Sequence, residues 1–269
     1  MTTVRDLQAM AGDEQITMLT AYDAVTAGIA EDAGVDVLLV GDSMGNAVLG
    51  HDDTLPVTLD EMASRVAAVA RGTDETLVVA DMPFLSFGAD EGESVQNCGR
   101  MLKEAGANAV KLESGPHTLD LTERLSDLGI PVMAHLGLTP QSVNQTGYTQ
   151  QASDREEAAE ILELARAHED AGAFALVLEH VPSNLAAQVT EAIDIPTIGI
   201  GAGGECDGQV LVFTDVVGLA ESSPPFADQF GDVRTEMHDA ISDYVDAVES
   251  GAFPAEEHAS SSEELDDLY

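Results

Sequence analysis

The stretch that decides the fold is V-D-V-L-L-V-G-D-S-M-G, residues Val35 to Gly45. Its run Val37–Val40 is apolar at every position, which is typical of a strand buried on both faces in a parallel sheet. The run ends at Gly41, and Asp42 and Ser43 follow at once. The sequence therefore predicts a carboxylate and a hydroxyl at the end of a buried strand, although aspartate is also a favoured cap of a following helix.

Short apolar segments of the same kind recur along the chain and alternate with helical segments. The predicted strands cover residues 16–20, 37–40, 77–80, 109–112, 132–134, 174–178, 197–200 and 209–213. This alternation predicts an α/β fold, a (β/α)8 TIM barrel in a single domain over residues 1–254 that ends in a C-terminal helix. A doubly wound open sheet is the alternative. Residues 255–269 are predicted to form a short, acidic and mobile tail.

The charge balance is extreme, because the 269 residues include 50 acidic and 10 basic side chains, a formal net charge of −40. Such a surface would repel nucleic acid and anionic membranes. Acidic residues are spread through every predicted helix, which indicates a protein from a salt-adapted organism whose counterions screen the repulsion. There is no apolar segment of membrane-spanning length and no signal-peptide core, so we expect a cytoplasmic protein.

Polar side chains follow the predicted strands at their carboxyl ends, which in a barrel share one face and form the active site. These residues are Asp42, Ser43, Asp81, Lys111, Glu113, His135 and Glu179. Asp42 and Asp81 follow neighbouring strands, and two carboxylates that converge in a partly dry site need a cation. Hard oxygen ligands favour Mg²⁺. Glu113 would reach the ion directly or through water.

Lys111 is one of two lysines in the whole chain, and it lies inside a predicted strand. Its ammonium group suits a substrate carboxylate or a developing enolate oxygen. A salt bridge to a neighbouring acid and Schiff-base chemistry are the alternatives. Glu179 lies across the barrel and is a candidate general base. His135 is predicted to orient the substrate, with a purely structural role as the alternative.

With these residues in place, the chain resembles the ketopantoate hydroxymethyltransferase family over nearly its full length. The matching motifs are T-A-Y-D at 20–23, V-G-D-S-M-G at 40–45, G-H-D-D-T-L-P-V-T at 50–58, A-D-M-P-F at 80–84, V-K-L-E at 110–113, H-L-G-L-T-P-Q-S-V-N at 135–144, L-E-H-V-P at 178–182 and G-I-G-A-G at 199–203. Two segments, 148–152 and 225–228, depart from the family pattern and lose positive charge, as salt adaptation would explain.

The resemblance implies a reaction, its cofactors and its partners. Members of the family transfer a hydroxymethyl group from 5,10-methylenetetrahydrofolate to 3-methyl-2-oxobutanoate through a Mg-stabilised enolate. The product is ketopantoate (2-dehydropantoate), and the reaction is the first step of pantothenate and coenzyme A biosynthesis. The substrates are small molecules, and the family is homo-oligomeric, often decameric.

The resemblance also implies roles for individual residues. It assigns Mg²⁺ to the positions of Asp42, Asp81 and Glu113. It assigns the keto acid to Asp42, Ser43, Asp81 and Lys111, and proton abstraction to Glu179.

Two other functions compete with this interpretation. An enolate enzyme of the phosphoenolpyruvate-mutase and isocitrate-lyase kind would also use Mg²⁺ and strand-end acids. Such enzymes rely on a flexible cysteine loop, and neither Cys98 nor Cys206 lies in such a loop of this sequence. A non-catalytic acidic binding or scaffold protein would need no converging Asp42, Asp81 and Glu179.

Overall fold

The computed structural model describes residues 2–262, except for the side chain of residue 146. Eight parallel strands follow one another in chain order and close into a barrel. They are β1 (Ile16–Thr20), β2 (Val37–Val40), β3 (Leu77–Asp81), β4 (Ala109–Glu113), β5 (Val132–Gly137), β6 (Ala175–Glu179), β7 (Thr197–Ile200) and β8 (Gly208–Leu211). The predicted TIM barrel is confirmed, and the open-sheet alternative is wrong because β8 pairs with β1.

Helices connect the strands, as the sequence pattern predicts. They are α1 (Val4–Met10), α2 (Ala24–Asp32), α3 (Met44–Ala47), α4 (Leu59–Arg71), α5 (Glu91–Arg100), α6 (Leu119–Asp127), α7 (Val143–Thr146), α8 (Arg155–Asp170), α9 (Ser183–Ala192), α10 (Phe213–Val216) and α11 (Val233–Glu249). A π-helical turn, Met101–Ala105, continues α5. The pattern does not indicate α1 or the short helices, which are too brief to develop a helical period.

Side chains on each strand alternate between the barrel interior and the layer beneath the helices. Val79 of β3 and Ala109 of β4 belong to one buried apolar cluster, which fills the barrel. The neighbouring residues on the same strands, Val78 of β3 and Val110 of β4, point to the other side of the sheet. They belong to a second cluster that packs against the helices. Two residues further along, the interior positions of β3 and β4 are no longer apolar. The barrel core thus ends in a polar layer at the carboxyl ends of its strands.

The helix α4 begins at the cap that the sequence indicates. The Thr58 hydroxyl accepts a hydrogen bond from the Glu61 amide at 3.2 Å, and the Glu61 carboxylate accepts one from the Thr58 amide at 2.9 Å. A cap of this kind typically stabilises a helix by about 1 kcal/mol. The inner face of α4 buries Met62 and Val66 against the barrel.

The chain divides into two compact units. The first comprises Met1–Phe213 and Pro224–Ala227 and contains the barrel; the second comprises Thr214–Ser223 and Asp228–Tyr269 and contains α11. The predicted single domain over 1–254 stays a prediction. Of the predicted tail, residues 256–258 form a 3₁₀ turn, and 263–269 lie outside the described residues. In the part that the structure describes, no helix combines the length and apolarity needed to cross a membrane.

The net charge of −40 predicts that the free energy of unfolding depends strongly on salt. Exposed ion pairs such as Arg100 with Asp60, at 2.7 Å, stabilise a fold by only about 0–1 kcal/mol each. We therefore expect the melting temperature to fall as KCl is diluted from molar concentrations, because self-repulsion is no longer screened. A loss of about 3 kcal/mol would lower the melting temperature by about 6–12 °C.

Circular dichroism melts over a KCl series measure this effect. Sucrose at matched osmolality is the control, because it favours burial without screening charge and should therefore raise the melting temperature less than KCl does. A melting temperature that stays flat across the KCl series would contradict the prediction.

Candidate active site

The polar residues predicted at the strand ends lie together at the carboxyl end of the barrel. Asp81 pairs in register with Lys111 between β3 and β4, and Glu113 pairs with His135 between β4 and β5. Glu179 is the last residue of β6. Side chains along a strand alternate between the two faces of the sheet. These side chains therefore point into the barrel, because each lies two or four residues beyond an interior apolar position.

A line of contacts crosses the barrel mouth from β3 to β6. Lys111 Nζ lies 2.8 Å from Asp81 Oδ1 and 3.2 Å from His135 Nδ1. His135 Nε2 in turn lies 3.2 Å from Glu179 Oε2. The Lys111, Asp81 and His135 side chains are at most 5% exposed, whereas that of Glu179 is 18% exposed. Glu179 is thus the member of the line that a molecule entering the barrel can reach.

The contacts of His135 fix the position of its ring proton. A lysine ammonium only donates, so His135 Nδ1 accepts from Lys111 and the proton of the neutral ring lies on Nε2, on the side of Glu179. Burial, followed by the positive charge of Lys111, lowers the pKa of His135 and keeps the ring neutral. Both ring nitrogens thus lie against protein groups. The predicted role of His135 in orienting the substrate stays a prediction.

Asp42 is buried beside this line, and its carboxylate does not act as a helix cap. Its Oδ2 accepts a hydrogen bond from Gln141 Nε2 at 2.9 Å, and its amide donates to Asp81 Oδ2 at 3.3 Å. The N-cap of α3 is Ser43, which makes no side-chain cap bond. Burial, followed by the negative charge of Asp81, raises the pKa of Asp42 to about 7.

Glu113 completes a group of three buried carboxyls around one lysine. Both carboxylate oxygens of Glu113 accept from the backbone amide of Gln141, at 3.1 and 3.0 Å. Burial, followed by the charge of Asp42, raises the pKa of Glu113 to about 9. Burial alone would lower the pKa of Lys111, but the charges of Asp81 and Asp42 outweigh it and raise that pKa above its usual range. The site therefore holds more potential negative charge than Lys111 can balance.

A divalent cation fits this excess of carboxylates. Asp81 Oδ1 is buried and, although close to Lys111 Nζ, accepts no aligned hydrogen bond. Within residues 2–262, no three acidic, histidine or cysteine side chains are grouped so as to hold a metal alone. Mg²⁺ is commonly held by one or two carboxylates together with water and substrate oxygens. Asp42 and Asp81 fit that pattern. Glu113 fits a contact through water, because both of its carboxylate oxygens face the backbone amide of Gln141.

Mg²⁺ affinity is expected to increase as the pH rises through about 7, the raised pKa of Asp42. Below that pH the carboxyl holds a proton that the cation must displace, so affinity should fall by up to about tenfold per pH unit. Titration calorimetry in molar KCl, in buffers of different ionisation enthalpy, measures both the affinity and the protons released. An affinity that does not change between about pH 5.5 and 8 would contradict this assignment.

Two residues of the site were not among the candidates from the sequence. Gln141 follows β5 in a 3₁₀ turn and contacts both Asp42 and Glu113. The Tyr22 hydroxyl lies 2.9 Å from the Ser43 hydroxyl and is buried. The available signal was their position in the family motifs, because nothing in the local pattern points a loop glutamine or a post-strand tyrosine inward.

The end of β5 approaches the backbone of Glu179 closely. Gly137 has φ +97°, and a Cβ there would lie 2.2 Å from the Glu179 carbonyl oxygen. The next amide, that of Leu138, donates to the same oxygen at 2.8 Å. Only glycine allows both features, so this turn holds the backbone of Glu179 in place.

Comparisons with known proteins agree with the motifs. The family model described as ketopantoate hydroxymethyltransferase matches residues 1–256. The chain is 81% identical to the 3-methyl-2-oxobutanoate hydroxymethyltransferase of Haloarcula marismortui, covering 100% of both chains. It is 69% identical to that of Natronomonas pharaonis, covering 98% of this chain and 99% of the relative. Both organisms are halophilic archaea, which supports the predicted salt-adapted origin.

Solved structures share the fold at low sequence identity. A crystal structure of phosphonopyruvate hydrolase in complex with oxalate and Mg²⁺ has a TM-score of 0.61 and 12% identity, covering 98% of this chain and 94% of that one. At this identity the likeness concerns the fold alone. The family model and the relatives, together with the strand-end residues, identify the sequence: the chain belongs to the ketopantoate hydroxymethyltransferase family and is an enzyme of that family.

Proposed function

We propose that the protein transfers a hydroxymethyl group from 5,10-methylenetetrahydrofolate to 3-methyl-2-oxobutanoate and forms ketopantoate, the first step of pantothenate and coenzyme A biosynthesis. The names of its relatives support ketopantoate formation. The observation that carries the proposal is the line from Asp81 through Lys111 and His135 to Glu179, beside the buried carboxyl of Asp42. It combines a charge that holds an anion, a group that accepts a proton, and oxygen ligands for a cation.

The proposed cofactor is Mg²⁺, held by Asp42 and Asp81, with Glu113 acting directly or through water. When bound, it would supply a Lewis acid that favours negative charge on the keto oxygen of the substrate. The support for this choice is the excess of buried carboxyls around Lys111. Phosphonopyruvate hydrolase, which shares the fold, has been solved in complex with oxalate and Mg²⁺.

The proposed chemistry begins with removal of a proton from C3 of the keto acid. Glu179 accepts this proton, since its carboxylate is the exposed end of the contact line. His135, neutral with its proton on Nε2, faces one Glu179 oxygen and leaves the other for the substrate. Lys111 offsets the negative charge that develops on the substrate. Water hydrolyses the two C–N bonds of the methylene bridge of the donor, which gives tetrahydrofolate and a formaldehyde unit. C3 then bonds to the carbon of this unit, and the resulting alkoxide takes back the proton that Glu179 accepted, which gives the hydroxymethyl group of ketopantoate.

The competing enolate enzymes with a catalytic cysteine loop find no support here. Cys98 and Cys206 are both buried. Burial raises the pKa of the Cys98 thiol to about 12, and burial also raises the pKa of Cys206. Neither thiol is placed to give a proton to a substrate in the barrel.

A product assay tests the proposed function. The purified protein in molar KCl would receive 3-methyl-2-oxobutanoate, 5,10-methylenetetrahydrofolate and Mg²⁺, and mass spectrometry would quantify ketopantoate. We expect product that depends on all three components and disappears with excess chelator. Absence of product in complete mixtures, from protein whose melting curve is intact, would contradict the proposal.

We further propose that the protein acts in the cytoplasm as a homo-oligomer, a decamer by family resemblance, with no nucleic-acid or membrane partner. The helix α11 supports association, because it buries none of its residues among those described and leaves Met237, Ile241 and Tyr244 about half exposed. Sedimentation velocity in molar KCl measures the assembly. A monomer at micromolar concentration would rule it out.

A further inference from the structure

We propose that Gln141 is a positioning residue that holds Asp42 and Glu113 in the orientation that binds the metal ion. The inference rests on the proposed function only in placing the ion at Asp42 and Asp81. It starts from the contacts of one glutamine that is 9% exposed and lies in the loop after β5.

The side chain and the backbone amide of Gln141 both donate hydrogen bonds to groups at the barrel mouth. Its side-chain Nε2 donates to Asp42 Oδ2 at 2.9 Å and to the Met82 carbonyl at 2.9 Å. Its backbone amide donates to both carboxylate oxygens of Glu113. One residue therefore joins the carboxyl ends of β2, β3 and β4, across sequence separations of 99, 59 and 28 residues.

The contact with Asp42 selects which oxygen remains for an ion. Gln141 Nε2 donates to Oδ2 of Asp42, so Oδ1 is the oxygen that would hold the cation. A side-chain amide suits this role, because it has no charge and keeps both of its protons at any pH near neutral. A lysine here would compete with the cation, and a glutamate would repel Asp42. Hydrogen-bond partners of this kind typically change metal affinity by about 10–100-fold when removed.

The test measures metal binding without turnover. Mn²⁺ substitutes for Mg²⁺ as a paramagnetic probe, and electron paramagnetic resonance quantifies free Mn²⁺ over metal-free protein in molar KCl. The variant Gln141→Leu shortens the side chain by one bond and removes both side-chain donors, so we expect Mn²⁺ affinity to fall by about 10–100-fold. The matched control is Gln188→Leu, which removes an exposed amide that donates to the Asn184 carbonyl of its own helix. The Mn²⁺ affinity of this variant should equal that of the wild type.

A packing role for Gln141 predicts a different result. It would lower the melting temperature of the metal-free variant but leave Mn²⁺ affinity within about twofold of the wild type, and that outcome would overturn the proposal. If Gln141→Leu does not fold, Gln141→Asn provides the test, because the shorter amide cannot span both Asp42 and the Met82 carbonyl. Weaker Mn²⁺ binding in that variant supports the proposal, and wild-type affinity overturns it.

A third variant separates this inference from the proposed function. Asp42→Asn removes a proposed ligand, so it should abolish Mn²⁺ binding at the barrel mouth. If Asp42→Asn binds Mn²⁺ as the wild type does, the metal site itself is misplaced. If Asp42→Asn loses Mn²⁺ binding but Gln141→Leu binds Mn²⁺ as the wild type does, the metal site is confirmed and the proposed role of Gln141 is wrong.

Discussion

Replacing Glu179 by glutamine should lower kcat for ketopantoate formation by about 10²–10⁴-fold, the usual contribution of a general base. The amide keeps the size of the side chain, but it cannot take a proton from C3. Because Glu179 does not hold the ground-state substrate in this account, the affinity for the keto acid should change little. Steady-state kinetics and keto-acid titrations with Mg²⁺ measure the two quantities separately.

The control for this variant is Glu191→Gln, the same change at an exposed position on α9. It should leave kcat and affinity unchanged. A Glu179→Gln protein with kcat near the wild-type value would rule out Glu179 as the base. A loss of keto-acid affinity equal to the loss of kcat would instead make Glu179 a binding residue.

Replacing Asp42 or Asp81 by asparagine should abolish Mg²⁺-dependent binding of the keto acid, because each change removes one of the two proposed carboxylate ligands. The two variants should differ in stability without metal. Asp81→Asn takes the ion-pair partner from the buried Lys111, and breaking such a pair typically destabilises a protein by about 3–5 kcal/mol. Asp42→Asn removes a buried carboxyl that sits against the like charge of Asp81, so it should destabilise the metal-free protein much less.

Titration calorimetry with and without Mg²⁺ measures binding, and chemical denaturation without metal measures stability. Asp60→Asn, at an exposed position, is the matched control for both. Unchanged Mg²⁺-dependent binding in either site variant would exclude that residue as a ligand. Equal stability losses in the two variants would contradict the assignment of the ion pair to Asp81 and Lys111.

Much of the fold could be predicted because its signals are local. Each strand of the barrel is a short apolar run, and Val37–Val40 is buried at every position, as a strand covered on both faces must be. The strand-end candidates followed from the same reasoning, since parallel strands in a barrel end on one face. Lys111 stood out because lysine is scarce in this chain, and the structure buries it while Lys103 is exposed.

The remaining features depend on contacts that arise only when the barrel closes. Gln141 is a polar residue in a loop, and its inward direction is set by groups on β2, β3 and β4 that are distant in the sequence. The tautomer of His135 likewise depends on Lys111 being its neighbour, which register fixes and local pattern does not. The short helix α3 is too brief for its period to be recognised, which left capping open as an interpretation of Asp42.

Hydrogen exchange at C3 of the keto acid tests the central claim most directly, because it isolates proton removal from every later step. The wild-type protein, given 3-methyl-2-oxobutanoate and Mg²⁺ in D₂O with molar KCl and no folate, should exchange the C3 hydrogen, as NMR would record. The Glu179→Gln protein, at the same concentration and with the same keto-acid occupancy, should not exchange it above the rate without protein. Exchange at the wild-type rate in Glu179→Gln, or no exchange in the folded wild type, would contradict the account.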